Sequence, residues 1–240
     1  MDEMSRYQLV VFDWDGTLMD STVDIVKAMQ GACADLDLPI PTDEQASWVI
    51  GLSLDEALDH VVPDLTAQQR PEFLARYRVH YLSRDPQLVL FDGVQTMLES
   101  LRDQGVAMAV ATGKSRLGLN RAFETTGIGD FFLSTRCADE TFGKPHPGML
   151  LEIMGETGSD PETVLMVGDT SHDLRMAANA GIHGLGVTYG AHPEQELRLH
   201  PHQDVLHSVD HMDQWLNQRT RRWSPLEILD DTHEIPTAKE

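Results

Sequence analysis

Leu9-Val10-Val11-Phe12-Asp13-Trp14-Asp15-Gly16-Thr17-Leu18 is the stretch on which the reading of this chain turns. Four uninterrupted apolar residues predict a short strand buried on both faces, as inside a parallel sheet. The run stops at two aspartates separated by one residue. While the chain stays extended, residues i and i+2 share a face, so Asp13 and Asp15 can look into one pocket. Gly16 then lets the backbone turn without a Cβ penalty. Two neighbouring carboxylates repel each other unless a cation or a proton intervenes. Alone, however, the stretch reads more readily as an Asp-Gly turn leaving a strand. Three later stretches reverse that preference.

Length and composition narrow the field. A chain of 240 residues with 41% hydrophobic and 24% charged residues is that of a soluble globular protein, long enough for one domain plus an insertion. No apolar run approaches the ~20 residues of a membrane-spanning helix. The acidic start, Met1-Asp2-Glu3-Met4-Ser5-Arg6, has no secretory h-region. Cys33 and Cys137 lie too far apart in sequence to suggest a disulfide framework or a cysteine metal site. A cytoplasmic location is expected. The net charge of −21 argues against nucleic acid and against anionic membrane surfaces, which both call for a basic footprint. An anionic substrate would need a local positive centre, supplied by lysine, backbone amides or a bound cation.

From residue 19 to 87 the pattern is helical. Asp20 or Ser21 can cap a helix with Val26, Met29, Cys33 and Leu36 on one face, ended by Pro39-Ile40-Pro41. Shorter helices are expected after Thr42 and Ser53. A longer one near Pro71 carries Phe73 or Leu74, Tyr77 and Tyr81, and Asp85-Pro86 closes it. From Leu88 strands and helices alternate, with strands expected at 106–111, 131–135, 164–167, 185–187 and 205–206. That alternation predicts an α/β fold, a parallel sheet with helices on both faces. The division is then 1–18 and 88–218 as the core, 19–87 as an inserted helical cap, and 219–240 as a loose tail.

In open α/β sheets ligands bind beyond the carboxyl ends of the strands. The second apolar strand ends in Thr112-Gly113-Lys114-Ser115, a hydroxyl, an open glycine amide and a helix start, which suit a phosphate or merely cap the helix. Gly143-Lys144-Pro145 precedes another helix, and taken alone its lysine reads as solvated. A third strand ends in Gly168-Asp169-Thr170-Ser171-His172-Asp173, again with carboxylates. Acidic groups after two strands make a hard-oxygen site suited to Mg²⁺. With Thr112 and Lys144, such a site could hold a phosphate on an acidic protein.

Asp13-Trp14-Asp15-Gly16-Thr17, Thr112, Lys144 and Gly168-Asp169-Thr170 through Asp173 resemble, in order, the four motifs of the haloacid dehalogenase-like superfamily. The similarity spans about residues 7–217 and is greatest to the phosphoglycolate phosphatase-like branch, which carries a helical cap after the first motif. The resemblance implies a Rossmann-like core and a phosphatase acting through an aspartyl-phosphate. It implies Asp13 as nucleophile and Asp15 as general acid and base. Thr112, Gly113 and Lys144 would bind the phosphoryl group. Mg²⁺ would be held by Asp13, Asp169 and the backbone carbonyl of Asp15, with Asp173 supporting. Many relatives have Asn where this chain has Gly113. The namesake dehalogenases and the phosphonate-cleaving branch carry other residues where Asp15 stands, so Asp15 points to phosphate esters.

The partner expected is a small phosphorylated metabolite, for a monomer or homodimer. A β-phosphoglucomutase-like phosphotransferase shares all four motifs and is the main alternative. A phospho-accepting signalling module fits less well, because its acceptor lies on a later strand and it has no helical insertion. The cap loop Ile50-Gly51-Leu52-Ser53-Leu54 offers no basic residue for a second phosphate. The histidines of the C-terminal third, His183, His192, His200, His202, His207 and His211, show no zinc spacing and are expected at the surface or in support. Trp14 is expected to pack beside the site, and Arg219, Arg221 and Arg222 to be solvated.

Overall fold

The protein is described by a computed structural model covering residues 6–84 and 89–224. The start of the chain, the helix stop at Asp85-Pro86, the boundary at Leu88 and the tail past residue 224 lie outside the described residues. The strands are β1 (Leu9–Phe12), β2 (Met19–Asp20), β3 (Val89–Leu90), β4 (Ala107–Thr112), β5 (Ser134–Cys137), β6 (Val164–Gly168), β7 (His183–Val187) and β8 (Val205–Leu206). Six of them form a parallel sheet in the order β5-β4-β1-β6-β7-β8. This is a doubly wound, Rossmann-like order. The chain lays β4 and β5 on one side of β1, then crosses to β6 on the other. A switch of that kind opens a crevice beyond the carboxyl ends of β1 and β6.

The apolar run of β1 is continuous because both faces of the sheet are covered. Val10 and Phe12 join the larger core with α5 (Val94–Asp103) and α10 (Val209–Arg219). Leu9 and Val11 join a second core under α7 (Gly148–Thr157) and α8 (Ser171–Ala180). All four side chains are fully buried, each contributing about 1.5–3 kcal/mol of transfer free energy. On β4 the face toward α7 carries only Ala107, Ala109 and Ala111, and these small side chains leave room for Met149, Leu150 and Ile153. The remaining helices of the core are α6 (Arg116–Thr126), which buries Leu119 in the larger core, and the short α9 (Glu194–Leu197), which buries Leu197 beside Leu174 and Val205.

Between β2 and β3 the chain forms α1 (Thr22–Asp35), α2 (Asp43–Trp48), α3 (Leu54–Val61) and α4 (Arg70–Arg84). Helices follow Thr42 and Ser53 as expected, and Thr42 with Gln45 and Ser53 with Glu56 close full capping boxes on α2 and α3, each cap worth about 1 kcal/mol. The Ile25, Val26, Met29 and Cys33 face of α1 packs on α4, where Phe73 and Tyr81 are buried. Ser21 precedes α1 but does not cap it, because its hydroxyl is committed elsewhere.

Three expectations change. The strand expected at 131–135 begins three residues later, because Gly129–Phe131 forms a 3-10 turn and Phe131 packs under the Arg102 guanidinium. The block 19–87 is not wholly helical. Met19–Asp20 pairs antiparallel with Val89–Leu90, so the two connections to the helices run side by side. Residues 219–224 are not loose. Arg219 ends α10, Thr220 bridges to Tyr7, and the Trp223 N–H donates to the Gly105 carbonyl at 2.9 Å.

Phe73 is fully buried between the inserted helices. Phe73→Ala is expected to cost about 3–5 kcal/mol in urea unfolding followed by tryptophan fluorescence. Leu199→Ala, at a position 75% exposed, should stay within about 0.5 kcal/mol of the parent.

Candidate active site

Asp13 leaves β1 with its N–H donating to the Val167 carbonyl at 2.9 Å, which sets it level with the end of β6. Asp169 follows β6 directly, and Asp173 lies in the first turn of α8. These three carboxylates come from separate parts of the chain, yet one oxygen of each lies within 4.8 Å of the others. All three are buried. Lys144, from the loop before α7, is fully buried too. Its Nζ stands 2.6 Å from Asp13 Oδ1 and 2.7 Å from Asp173 Oδ1. The solvated lysine that the local sequence suggests is therefore an interior charge.

Each carboxylate is held differently. Asp173 uses Oδ2 to accept from the Thr170 N–H and hydroxyl, at 3.1 and 2.6 Å, and so faces Lys144 with Oδ1. Asp169 accepts from the Thr17 hydroxyl at 2.9 Å and the Ala191 N–H at 2.7 Å. A Cβ on Gly16 or Gly190 would fall 2.2 or 2.1 Å from Asp169 Oδ2, so only glycine permits this approach, and Gly16 also has φ +84°. Asp13 is the exception. Its Oδ1 is ion-paired with Lys144, while its Oδ2 is buried with no hydrogen-bond partner among the described residues.

Burial pushes the Asp13 carboxyl well above its usual range, Lys144 opposes this, and Asp173 and Asp169 add to the rise. Burial and Asp173 likewise push Asp169 up to about 7, against the Ala191 and Thr17 hydrogen bonds. Burial works to deprotonate Lys144, but Asp13 and Asp173 outweigh it and hold the ammonium above its ordinary range. Three close carboxylates against one ammonium, with Asp13 Oδ2 buried and unpartnered among the described residues, suit a hard divalent cation with oxygen ligands.

Asp15 also borders the cavity, but its carboxylate lies outside the acidic group. It accepts from the Ser21 hydroxyl at 2.6 Å and from Lys114 Nζ at 2.8 and 2.9 Å. Lys114 also meets the Tyr81 hydroxyl of α4 at 2.8 Å. Burial favours loss of its proton, yet Asp15 and Tyr81 raise its proton affinity well above that of a free lysine. The sequence reading had Lys114 only as part of a phosphate cradle and Tyr81 only as one position of a helix face. Their 33-residue separation carries no local signal.

Thr112 ends β4 fully buried, and its hydroxyl accepts from the Lys114 N–H at 3.1 Å. At Gly113 a Cβ would lie 2.5 Å from the Leu52 carbonyl oxygen and 2.6 Å from that of Gly51. The loop Ile50–Leu54 thus rests on the peptide that follows β4. A cavity of about 530 Å³ lies between this loop, α1, α4 and the ends of β1 and β4, bordered by Asp13, Asp15, Thr112 and Lys114. On the far side, His192 and His172 each donate Nε2–H to the Trp48 carbonyl, at 3.0 and 2.9 Å, and His192 stacks on the Trp48 ring. Burial lowers His172 to about 4, so it stays neutral. His192 is accordingly a buried contact between the inserted helices and the sheet. Trp14 packs edge-on against Phe123 and Phe132.

Over residues 10–187 the sequence matches the haloacid dehalogenase-like hydrolase family. The chain belongs to that family. The protein named "Probable phosphatase IndB" of Dickeya dadantii is 39% identical over 197 residues, covering 79% of this chain and 85% of that protein. A phosphoglycolate phosphatase of Mannheimia succiniciproducens is 31% identical over 196 residues, covering 78% and 88%. These similarities put the chain in the phosphoglycolate phosphatase-like branch. A hydrolase from Pseudomonas syringae shares the fold, with a TM-score of 0.79 at 22% identity over 86% of this chain and 98% of that one. Among the described residues no helix is long and apolar enough to cross a membrane.

The acidic group makes stability depend on pH and on cations. Because Asp169 is raised to about 7 without a cation, its contribution is full below about pH 4 and is lost as pH climbs through 7. A divalent cation takes the ionised form and offsets that loss. Thermal melts with MgCl₂ and with chelator should differ more at pH 8 than at pH 5; an equal difference at both would contradict the assignment.

Proposed function

We propose that this hydrolase is a Mg²⁺-dependent phosphatase that hydrolyses a small phosphate monoester through an aspartyl-phosphate on Asp13. The observation that carries the reading is the state of Asp13: buried, bordering the cavity, ion-paired with Lys144 through Oδ1, and with Oδ2 unpartnered among the described residues. Such an oxygen is available to a cation and to phosphorus. Asp13, Asp169 and the Asp15 backbone carbonyl would hold Mg²⁺, with Asp173 beside them. When bound, the ion supplies positive charge to the phosphoryl oxygens.

The remaining chemistry belongs to the chain. Asp13 attacks phosphorus as the ester P–O bond breaks, and Asp15 gives a proton to the departing oxygen. Asp15 then takes a proton from the water that attacks the aspartyl-phosphate and releases inorganic phosphate. Thr112, the Gly113 amide and Lys144 hold the phosphoryl oxygens, and Asp173 orients Lys144. The inserted helices roof the site and restrict water around the intermediate.

Phosphoglycolate and short sugar phosphates are the substrates favoured, on the names of the relatives and on the apolar and small side chains of the Ile50–Leu54 loop. The same loop lacks the basic residue that transfer between sugar phosphates would call for. Phosphate release from a panel of phosphorylated metabolites tests the reading. Wild-type protein should turn over with Mg²⁺ and stop in chelator, and Asp13→Asn should fall to background. Retention of more than a few per cent of the rate by Asp13→Asn would remove Asp13 as nucleophile.

A further inference from the structure

The site contains two interior lysines with different surroundings. Lys144 meets two acceptors, Asp13 Oδ1 at 2.6 Å and Asp173 Oδ1 at 2.7 Å, which leaves one of its three protons for a phosphoryl group. Lys114 is saturated. An ammonium has three protons to donate, and Lys114 meets three acceptors: Asp15 Oδ1 at 2.8 Å, Asp15 Oδ2 at 2.9 Å and the Tyr81 hydroxyl at 2.8 Å. Its Nζ also stands 5.0 Å from the centre of the Tyr81 ring. Its place in the Thr112-Gly113-Lys114 stretch suggests phosphate binding, but its contacts are all to the acid and to the cap.

We propose that Lys114 positions Asp15 for proton transfer, and that Tyr81 makes this positioning depend on the docked state of α4. The proposal rests on the phosphatase reading above. A carboxylate gripped through both oxygens cannot rotate about its Cβ–Cγ bond. With Lys114 removed, the side-chain contact left to Asp15 among the described residues is the Ser21 hydroxyl on Oδ1, about which it can turn. Lys114 in turn is fixed from two sides. Its backbone follows Gly113, which is packed beneath the Gly51 and Leu52 carbonyls, and its side chain ends on Tyr81. Both constraints come from the inserted helices and their loop, so undocking them frees the lysine and loosens the acid.

The proton that moves is the one on Asp15. It passes to the leaving oxygen as the Asp13–phosphorus bond forms and the ester bond breaks, and a proton from water replaces it in the second step. Lys114 keeps its own protons and touches neither phosphorus nor the leaving oxygen. It is therefore a positioning residue, whose loss should weaken proton donation and leave phosphoryl binding intact.

Two esters of closely similar size separate these effects. Phenyl phosphate releases a basic phenolate that benefits from protonation, whereas p-nitrophenyl phosphate releases one that departs unaided. In Lys114→Met the ratio of kcat/KM for p-nitrophenyl over phenyl phosphate should rise by about tenfold or more, within the range that general acid catalysis supplies. Tyr81→Phe should raise it in the same direction by less, and Lys114→Arg should hold it nearer the wild-type value. Tyr81→Phe removes one hydroxyl and carries the test if Lys114→Met does not fold. An unchanged ratio in whichever variant folds, with both esters slowed equally, overturns the assignment of Lys114 and leaves the phosphatase reading standing. Wild-type protein that releases phosphate in Mg²⁺ from neither ester nor any member of the metabolite panel overturns the phosphatase reading itself.

Discussion

Three carboxylates share one ammonium in the interior of this protein. Asp13, Asp169 and Asp173 meet at the end of the sheet, and among the described residues Lys144 is the cation in direct contact with the group. Charges this close in a poorly hydrated setting are costly unless each is neutralised or hydrogen-bonded. Much of the surrounding structure answers to that cost. Thr170 and Thr17 turn their hydroxyls inward, the Ala191 N–H points at Asp169, and Gly16 and Gly190 admit it because they carry no side chain. What remains unanswered among the described residues is Asp13 Oδ2, and an interior oxygen without a donor is one still available for chemistry.

The inserted helices contribute differently. They add no carboxylate to the acidic group. They supply Ser21 and Tyr81 to the neighbourhood of Asp15, and they bring two backbone carbonyls down on Gly113. On the proposed reading, phosphoryl chemistry belongs to the sheet, while the proton chemistry is shared across the boundary with the helices. On the opposite flank one carbonyl of Trp48 satisfies two histidines, and the His192 N–H donates to the Asp169 carbonyl at 3.2 Å.

How much of this was legible in the sequence depended on range. β1, β4 and β6 announce themselves because burial on both faces demands an unbroken apolar run. Thr42 and Ser53 are legible as helix starts because the signal is local, although the capping boxes they close emerge only in the structure. β5 was misplaced because Phe131 and Phe132 look like strand residues, and only their packing against Arg102 and Phe123 draws them into a turn. β2 and β3 are two residues each, too short for any periodicity. At the site, Asp13, Asp169 and Asp173 could be suspected from strand ends. The burial of Lys144 could not, since it follows from the meeting of β1 and α8. The pairing of Lys114 with Asp15 spans 99 residues and needs the fold to exist first.

The short ribbon of β2 and β3 has a consequence for how the molecule is put together. The chain leaves the core at Met19 and returns at Leu90, and these two residues are paired across an antiparallel bridge. The core's own path is therefore nearly closed without the inserted helices, as a necklace is closed at its clasp. A segment whose two ends meet can be exchanged for a longer, shorter or differently shaped one with little rearrangement of the sheet. The acidic group would survive such an exchange, and the shape of the chamber above it would not. The fold thereby separates a fixed reaction from a replaceable recognition module, joined through one pair of strands.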